Sequence, residues 1–306
     1  MPLTSASIKQ NALELGFQSV GIVAAGALDS EAKHLGEWLA RGLHASMSWM
    51  ENHVDKRGDV HQLMPNARSI IVTTSNYFTP HEHLDTGGKI SRYAWGDDYH
   101  DVVREKLLAL LAWMREQDAS VNSKICVDTV PFMDKAWAVR AGLGWLGKHS
   151  NLITKDVGSW VFIGSLIVDV ELEYDSEIVE DHCGTCTACL DACPTNAIVA
   201  PYVVDSAKCI SHATIELRDE ELPKAVADNI DGWLYGCDIC QDVCPWNRFE
   251  SPTIEDRFEP RNGETTLDPD IVINMSHEKY VGRFRGSAIK RAKLSGLQRN
   301  AKYVVK

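Results

Sequence analysis

Apolar residues recur at helical spacing in five segments of the first half of the chain, with polar stretches between them. Thr4 and Ser5 suit the N-terminal cap of the first segment, which runs to about Leu15. The other segments span residues 30–43, 45–52 and 98–117, and the last one starts near Pro131. All five are predicted to be α-helices.

Runs rich in Val, Ile and Thr alternate with these helices and predict buried β-strands. The runs are residues 18–25, 68–77, 124–130, 151–154 and 159–170. Helices and strands that alternate in this way indicate an α+β domain with α/β-like character over residues 1–175.

The character of the chain changes after the acidic stretch YDSEIVED at 174–181. A turn-rich and cysteine-rich stretch follows, so we predict a second module at residues 176–250. Pro, Gly, Asn and Asp are frequent in the remaining part, residues 251–306. That part ends in a pattern that suits one amphipathic helix over residues 288–304.

Charge is distributed unevenly along the 306 residues. The net charge is −12, which argues against a polyanion as partner. Residues 281–306, however, carry eight Lys and Arg residues and no acidic residue. Two interpretations stay open for this basic segment: a solvated helix face, or a surface that binds a polyanion.

No segment suggests a membrane protein or a secreted one. The longest apolar run, residues 160–170, is too short and too interrupted to span a bilayer, and the N-terminus lacks a basic region followed by an apolar stretch. We therefore expect a cytoplasmic protein without membrane contact. In that compartment eight cysteines between Cys183 and Cys244 indicate metal binding rather than disulfides.

The spacing of these cysteines is that of a protein with two [4Fe-4S] clusters. The first run, C-x2-C-x2-C-x3-C-P from Cys183 to Cys193, is the bacterial ferredoxin pattern, in which the fourth cysteine ligates the other cluster. The second run from Cys237 to Cys244 has three cysteines, and Cys209 completes the eight. Crossed ligation predicts a first set of Cys183, Cys186, Cys189 and Cys244, and a second set of Cys193, Cys209, Cys237 and Cys240. A pair of zinc sites is the alternative, although zinc ligands rarely repeat this spacing.

Three further features of the first domain carry possible chemistry. Residues 142–147 match GxGxxG, but a helical pattern precedes them and a strand follows, which is the reverse of a nucleotide-binding loop. The glycines are predicted to let the backbone approach a large flat group, or to make a turn. Asp134 is either an acid with a raised pKa that donates a proton, or a first-turn carboxylate that stabilises a helix. His100 and His149 are metal ligands or, more commonly, hydrogen-bonding residues.

Several longer segments are similar to the epoxyqueuosine reductase family, and together they cover essentially the whole chain. They include HVDKR around Arg57, SRYAWGDDYHDVVREKL around Asp97, VDTVPFMDKAWAVRAGLGWLGKHSNLIT, both cysteine runs, CISHATIE and FRGSAIKRAKLSGLQRNA. The resemblance implies an enzyme that reduces epoxyqueuosine at the wobble position of tRNA to queuosine, the last step of queuosine biosynthesis. Cobalamin reduced by two [4Fe-4S] clusters would supply the electrons.

The same resemblance implies an architecture and a set of site residues. Residues 1–175 would bind base-off cobalamin, residues 176–250 would form a ferredoxin-like domain with both clusters, and residues 251–306 would be a helical tail that contacts tRNA. Asp134 matches the family's proposed proton donor. The implied cobalamin contacts are Arg57, Asp97, Asp134, His149, Ser211 and Asp238, and the implied tRNA contacts are Arg218, Arg285, Lys290, Arg291 and Lys293.

The expected partners are a tRNA carrying epoxyqueuosine and an external electron donor, which is a flavodoxin, a ferredoxin or a chemical reductant, and the chain is expected to be a monomer. The chain departs from the family where His212 replaces a usual aromatic residue, and where it stops at Lys306 although longer members continue into helical repeats. Two other functions compete: a cobalamin-dependent reductive dehalogenase-like reductase and a non-catalytic two-cluster electron carrier.

Overall fold

A computed structural model describes residues 3–175 and 178–305 of the chain. Its strands are β1 (Ser19–Ala24), β2 (Ser69–Asn76), β3 (Gly88–Ile90), β4 (Ser123–Cys126), β5 (Trp145–Leu146), β6 (Leu152–Ile153), β7 (Val161–Val168), β8 (Ile198–Ala200), β9 (Val203–Val204), β10 (Trp233–Tyr235) and β11 (Thr266–Leu267). Its α-helices are α1 (Ser5–Glu14), α2 (Asp29–Ala40), α3 (Val54–Gly58), α4 (Tyr99–Gln117), α5 (Asp134–Arg140), α6 (Ala188–Ala192), α7 (Ile210–Ile215), α8 (Lys224–Ala227), α9 (Ile239–Asp242), α10 (Pro269–Ile273), α11 (His277–Arg283) and α12 (Lys293–Val304).

A four-stranded sheet in the order β1-β2-β7-β4 forms the centre of the N-terminal part. Each neighbouring pair in this sheet is antiparallel, so the domain is α+β, as predicted. Every residue of β2 is buried, because both faces of the sheet are covered. Helices α1 and α4 cover one face, and α5 covers the other with Trp137 and Ala138. Burial on both faces explains why β2 contains the unbroken apolar run Ile70-Ile71-Val72 instead of an alternating pattern.

A second sheet joins the three parts of the chain. Its central strand β3 pairs with β10 in parallel and with β11 in antiparallel orientation. Helix α12 packs behind this sheet with Leu297 and Ala301, and Asn300 donates a hydrogen bond of 2.9 Å to the Leu234 carbonyl. The C-terminal helix is therefore docked on the cysteine-rich module.

Two predicted helices differ in the structure. The segment predicted at 45–52 forms only a 3-10 helix, Ser48–Glu51. The single helix predicted over 288–304 is wrong, because a 3-10 helix at Ala288–Ala292 precedes α12 and Lys293 adopts a positive φ of 63° at the junction. The carbonyl of Arg291 accepts a hydrogen bond from Arg218, which competes with a continuous helical ladder at this point. No helix among the described residues has the length and apolar character that crossing a membrane requires.

Candidate active site and cluster cavities

The first cysteine set lines one cavity of about 130 Å³. Cys183, Cys186 and Cys189 come from the first run and Cys244 from the end of the second, so the structure brings together the four residues that crossed ligation groups. Cys189 and Cys244 are buried, whereas Cys186 is exposed. This cavity therefore reaches the protein surface.

The four cysteines of the second set are half-buried. Helices α6 and α9, which carry cysteines of the two runs, pack against each other. Burial raises the pKa of the Cys240 thiol above its usual range, and the charges of Cys209, Asp238, Cys189 and Cys193 raise it further. Burial likewise raises the pKa of Cys237, with added effects of Cys240, Asp238 and Cys209. The four thiols of this set thus lie within electrostatic reach of one another.

His149 faces the first cysteine set rather than an open cofactor site. The side chain is buried and lines the cavity of that set. Burial and then the charge of Lys135 lower its pKa to about 4, so the imidazole is neutral at pH 7. Its Nδ1 accepts a hydrogen bond of 3.2 Å from the Asn151 backbone N–H, which leaves the proton on Nε2. Within the described residues Nε2 has no partner.

The glycines of the GxGxxG segment serve a tight turn. A Cβ at Gly144 would lie 2.0 Å from the Ile153 carbonyl oxygen, and a Cβ at Gly147 would lie 2.6 Å from the Ile153 side chain. Both positions need glycine because the turn packs directly on β6. Of the two predicted roles, the turn is therefore the one that the contacts explain.

Asp134 is the first residue of α5, and its environment keeps it protonated. It occupies the first turn, as one of the two predictions had it, but its Oδ1 is buried and has no hydrogen-bond partner among the described residues. Burial, followed by the charge of Asp128, raises its pKa to about 8. At neutral pH this group is a carboxylic acid that can donate a proton.

Asp128 and His100 form a charged pair beside this acid. The Tyr99 hydroxyl donates to Asp128 Oδ2 at 2.8 Å, and His100 Nε2 lies 3.6 Å from the same oxygen. His100 Nδ1 is also 2.7 Å from Asp98 Oδ1. Burial lowers the pKa of His100, but the hydrogen bonds to Asp128 and Asp98 outweigh it and raise the pKa to about 9. The hydrogen bond from His100 is in turn the main cause of the lowered pKa of Asp128.

Lys135 connects the acid to the second cysteine set. Its Nζ donates to the Ser150 carbonyl at 2.7 Å and to Asn151 Oδ1 at 3.0 Å. Burial lowers its pKa, and the charges of Asp128, then Cys240, then Asp134 oppose that shift. Cys240 and the two carboxylates thus act on one ammonium group. Lys135 therefore lies within electrostatic reach of both Asp134 and Cys240 of the second set.

The other predicted cofactor contacts are placed in different ways. Arg57 in α3 is half-buried, and its Nε has no partner among the described residues. Asp97 lies 3.5 Å from Arg261 Nε, and Ser211 follows Cys209 at the start of α7. Asp238 is fully enclosed: the Ser91 hydroxyl and the Arg92 backbone N–H donate to its two oxygens. Its carboxylate therefore ties the second cysteine run to the end of β3.

The basic segment divides into exposed and structural residues. Arg285, Lys290 and Lys293 are exposed. Arg291 is exposed but forms a two-point ion pair with Glu216, with both contacts at 2.8 Å. Arg283 pairs with both carboxylate oxygens of Glu264 at 2.8 Å, and buried Arg299 donates to the carbonyls of Ala213, Leu217 and Asp219. Arg218, which precedes the segment, donates to the carbonyls of Ile215 and Arg291.

Sequence reasoning missed Asp128, Tyr99 and Lys135 as parts of the site. Asp128 stands at a positive φ of 53° directly after an apolar strand, and a non-glycine residue in that conformation often marks a functional position. The backbone angle is not visible in a sequence. The one local signal of a site was the sequence Asp98-Tyr99-His100, in which three hydrogen-bonding side chains stand together at the start of a helix.

Two cysteine sets and a carboxylic acid that keeps its proton define the class of iron–sulfur oxidoreductases. A family model described as "4Fe-4S double cluster binding domain" matches residues 182–247, so the predicted iron–sulfur clusters are confirmed. A second model, described as "Epoxyqueuosine reductase QueG, DUF1730", matches residues 57–129.

Curated relatives named epoxyqueuosine reductase cover nearly the whole chain. The protein of Cellulophaga algicola is 47% identical over 97% of this chain and 96% of its own. That of Synechocystis sp. is 49% identical over 89% of this chain and 94% of its own. The chain belongs to the epoxyqueuosine reductase family, and the predicted resemblance is confirmed.

Solved structures agree with this assignment. An epoxyqueuosine reductase with an epoxyqueuosine-modified tRNA stem loop is 30% identical, with a TM-score of 0.91 over 98% of this chain and 80% of that one. The Bacillus subtilis epoxyqueuosine reductase was solved with its catalytic aspartate loop swung out of the active site. It is 29% identical to this chain, with a TM-score of 0.90 over 98% of this chain and 80% of that one.

Proposed function

We propose that this protein reduces epoxyqueuosine in tRNA to queuosine, with Asp134 as proton donor and cobalamin as a cofactor beside the second cysteine set. The observation that carries the proposal is the protonated carboxyl of Asp134 beside Lys135, an ammonium group on which the charge of Cys240 also acts. Removing the epoxide oxygen as water consumes two electrons and two protons. The carboxylic acid can supply a proton for this reaction, and the clusters can supply the electrons.

The residues around Asp134 fit a large cofactor with many amide groups. Arg57 Nε and Asp134 Oδ1 are buried polar atoms without a partner among the described residues, and a bound group with polar edges would satisfy them. Asp97 and Ser211 remain predicted contacts. Asp238 and His149 fit the cofactor less well, since Asp238 is saturated by Ser91 and Arg92 and His149 faces the first cysteine set. When bound, cobalamin supplies a redox-active cobalt centre that reduces the substrate.

The chain's own residues then do three things. Asp134 donates a proton to the oxygen that leaves the epoxide. Asp128, held by Tyr99 and His100, keeps the pKa of Asp134 high enough for the acid form to be present at pH 7. We assign the first cysteine set, with exposed Cys186, to receive electrons from an external donor, and the second set to pass them towards the acid.

We further propose that residues 1–175 bind the cofactor, that residues 176–250 hold the clusters, and that exposed Arg285, Lys290 and Lys293 contact tRNA phosphates. A solved relative has an epoxyqueuosine-modified tRNA stem loop bound, which supports tRNA as the partner. A substrate of this kind fits a cytoplasmic enzyme. The electron donor is proposed to be a small redox protein such as a flavodoxin or ferredoxin.

The test is anaerobic reconstitution followed by iron, sulfide and corrinoid analysis and by a reduction assay on tRNA that carries epoxyqueuosine. We expect about eight irons and one corrinoid per chain, and queuosine in the nuclease digest by mass spectrometry. The variant Asp134→Asn should keep both cofactors and lose about 10²- to 10⁴-fold in rate. Full iron content with no corrinoid affinity and no queuosine would contradict the proposal and leave an electron carrier.

A further inference from the structure

An exposed tryptophan stands between two arginines that come from distant parts of the chain. Trp49 lies on the 3-10 helix Ser48–Glu51, and 43% of its surface is exposed. The guanidinium carbon of Arg57 lies 5.8 Å from the centre of its indole ring, and that of Arg291 lies 6.0 Å from the same ring. The exposed part of the indole and the two guanidiniums together form an aromatic and cationic surface of the kind on which nucleobases stack.

The segment that carries Trp49 is fixed on the cysteine-rich module. The Leu43 carbonyl accepts a hydrogen bond of 2.9 Å from the Ser206 backbone N–H. Ser46 Oγ and His212 Nε2 are 2.8 Å apart. His212 is the residue at which this chain departs from the usual family pattern, and its contact with Ser46 gives it a local role. Trp49 is therefore held in place before any ligand binds, which lowers the entropy cost of binding.

Arg291 is fixed as well. Glu216 accepts two hydrogen bonds from its guanidinium, both at 2.8 Å, and Arg218 donates to its backbone carbonyl at 2.8 Å. The ion pair does not remove Arg291 from the surface, where its side chain remains exposed. A guanidinium held in one orientation offers both a charge and a flat face to an incoming base.

The carboxylates of the acid site act on both arginines beside Trp49. Burial lowers the pKa of Arg57, and the charges of Asp128 and then Asp134 oppose the shift. The ion pair with Glu216 is the main cause of the raised pKa of Arg291, and Asp128 adds to it. Both guanidiniums thus lie within electrostatic reach of Asp128.

We propose that Trp49, with Arg57 and Arg291, forms a stacking site for a nucleobase of the RNA loop next to the nucleotide that reacts at Asp134. The inference rests on the proposed function, since it requires RNA as the substrate. Single-stranded RNA loops are bound mainly through unstacked bases that lie on aromatic rings and arginine planes. The exposed lysines Lys290 and Lys293 lie on either side of Arg291 in the sequence. They would contact the phosphates that flank the stacked base.

The test compares three variants of the full, cluster-loaded chain with the wild type. Trp49→Ala removes the ring, and Trp49→Phe keeps an aromatic surface. Phe249→Ala is the matched control, because Phe249 is 42% exposed and also carries an arginine, Arg248, 4.6 Å from its ring centre. The probe is an anticodon stem-loop RNA with 2-aminopurine next to the reacting nucleotide, read by anisotropy for affinity and by quenching for stacking.

We expect Trp49→Ala to weaken RNA binding about tenfold and to abolish the quenching, while Trp49→Phe and Phe249→Ala stay near the wild type. The slope of affinity against salt should not change, because no phosphate contact is removed. Iron content and melting temperature are measured for each variant to show that it is folded.

Two results would overturn this inference while leaving the proposed function intact. One is wild-type affinity and quenching in Trp49→Ala. The other is loss of corrinoid affinity in that variant with unchanged RNA binding, which would make Trp49 a cofactor contact. If the wild type itself binds no stem-loop RNA, the proposed function fails together with the stacking site.

Discussion

At the scale of single residues, the pKa of Asp134 depends in part on Asp128, a residue that does not contact the substrate in our proposal. Burial is the main cause of its raised pKa, and the charge of Asp128 comes second. Asp128 can stay ionised there because Tyr99 and His100 both contact its Oδ2. A carboxylate held as an anion beside a buried carboxyl makes ionisation of the latter more costly.

Replacing Asp128 by Asn should therefore shift the pH dependence of the reaction. The folded pKa of Asp134 is raised to about 8, so the acid form, and with it the rate, is lost as the pH rises through about 8. Without the charge of Asp128 the pKa of Asp134 falls, and the decline in kcat/KM should begin at a lower pH, with the rate at pH 6 nearly retained. A pH profile of single-turnover reduction checks this. Exposed Asp156 serves as control through Asp156→Asn, and an alkaline limb at the same pH in Asp128→Asn would contradict the assignment.

His149 should act on the potential of the first cluster. Its Nε2–H is a buried donor without a partner among the described residues, and the imidazole lines the cavity of the first cysteine set. Hydrogen bonds to cluster sulfurs raise the reduction potential, and one bond to a charged acceptor is worth about 1.5–3 kcal/mol. His149→Leu should make the first cluster's potential more negative by several tens of millivolts. EPR-monitored redox titration measures both clusters in one sample, so an unchanged second potential is the internal control. Two unchanged potentials would exclude the hydrogen bond.

At the scale of elements, the loop of the second cysteine run is held by the end of β3. The carboxylate of Asp238, between Cys237 and Cys240, accepts hydrogen bonds from the Ser91 hydroxyl and the Arg92 N–H. Gly236 precedes this loop with a φ of 71°. A Cβ at this position would lie 2.3 Å from Ser91 Cβ. The contact that positions the second set therefore requires a glycine.

Gly236→Ala should separate the loop from β3 and destabilise the protein. The added methyl group meets the Ser91 Cβ and also occupies a left-handed backbone position, so a loss of about 1–3 kcal/mol is expected. The melting temperature should fall by several degrees, and chelators should extract iron faster. Gly282→Ala is the control, because Gly282 lies in α11 with no atom near its Cβ position, and alanine should stabilise that helix slightly. Equal melting temperatures for the two variants would count against a role of Gly236 in packing.

At the scale of the whole molecule, the sequence predicted those features that depend on local patterns. Strand β2 could be predicted from its content of Ile, Val and Thr, which suits a strand that is buried throughout. The cysteine spacing alone groups the residues of the first set, which share a cavity. The break at Lys293 could not be predicted, since it accompanies a contact of Arg291 with Arg218, 73 residues away. Asp128 and Trp49 were missed for the same reason: their partners His100, Arg57 and Arg291 are brought to them only by the fold.

The fold also decides which basic side chains are available at the surface. The net charge of −12 argues against RNA, and the basic segment argues for it. Part of that segment, however, serves the fold: Arg299 is buried and donates to three backbone carbonyls of the cysteine-rich module. Arg291 is paired with Glu216. The exposed residues Arg285, Lys290 and Lys293 are left for the proposed phosphate contacts.

Salt titration separates these roles. If Lys290 and Lys293 each neutralise one phosphate, each Lys→Ala change should reduce the slope of log affinity against log salt by about 0.7–0.9 and weaken binding uniformly across RNA sequences. Melting temperatures should be unchanged, because both side chains are exposed. Lys33→Ala, an exposed lysine of α2 outside the basic segment, should leave the slope as it is. A slope that stays the same in the Lys290 and Lys293 variants would mean that the RNA approaches another face. In that case the acidic surface, and not the basic segment, would have to accommodate the phosphates through backbone N–H groups.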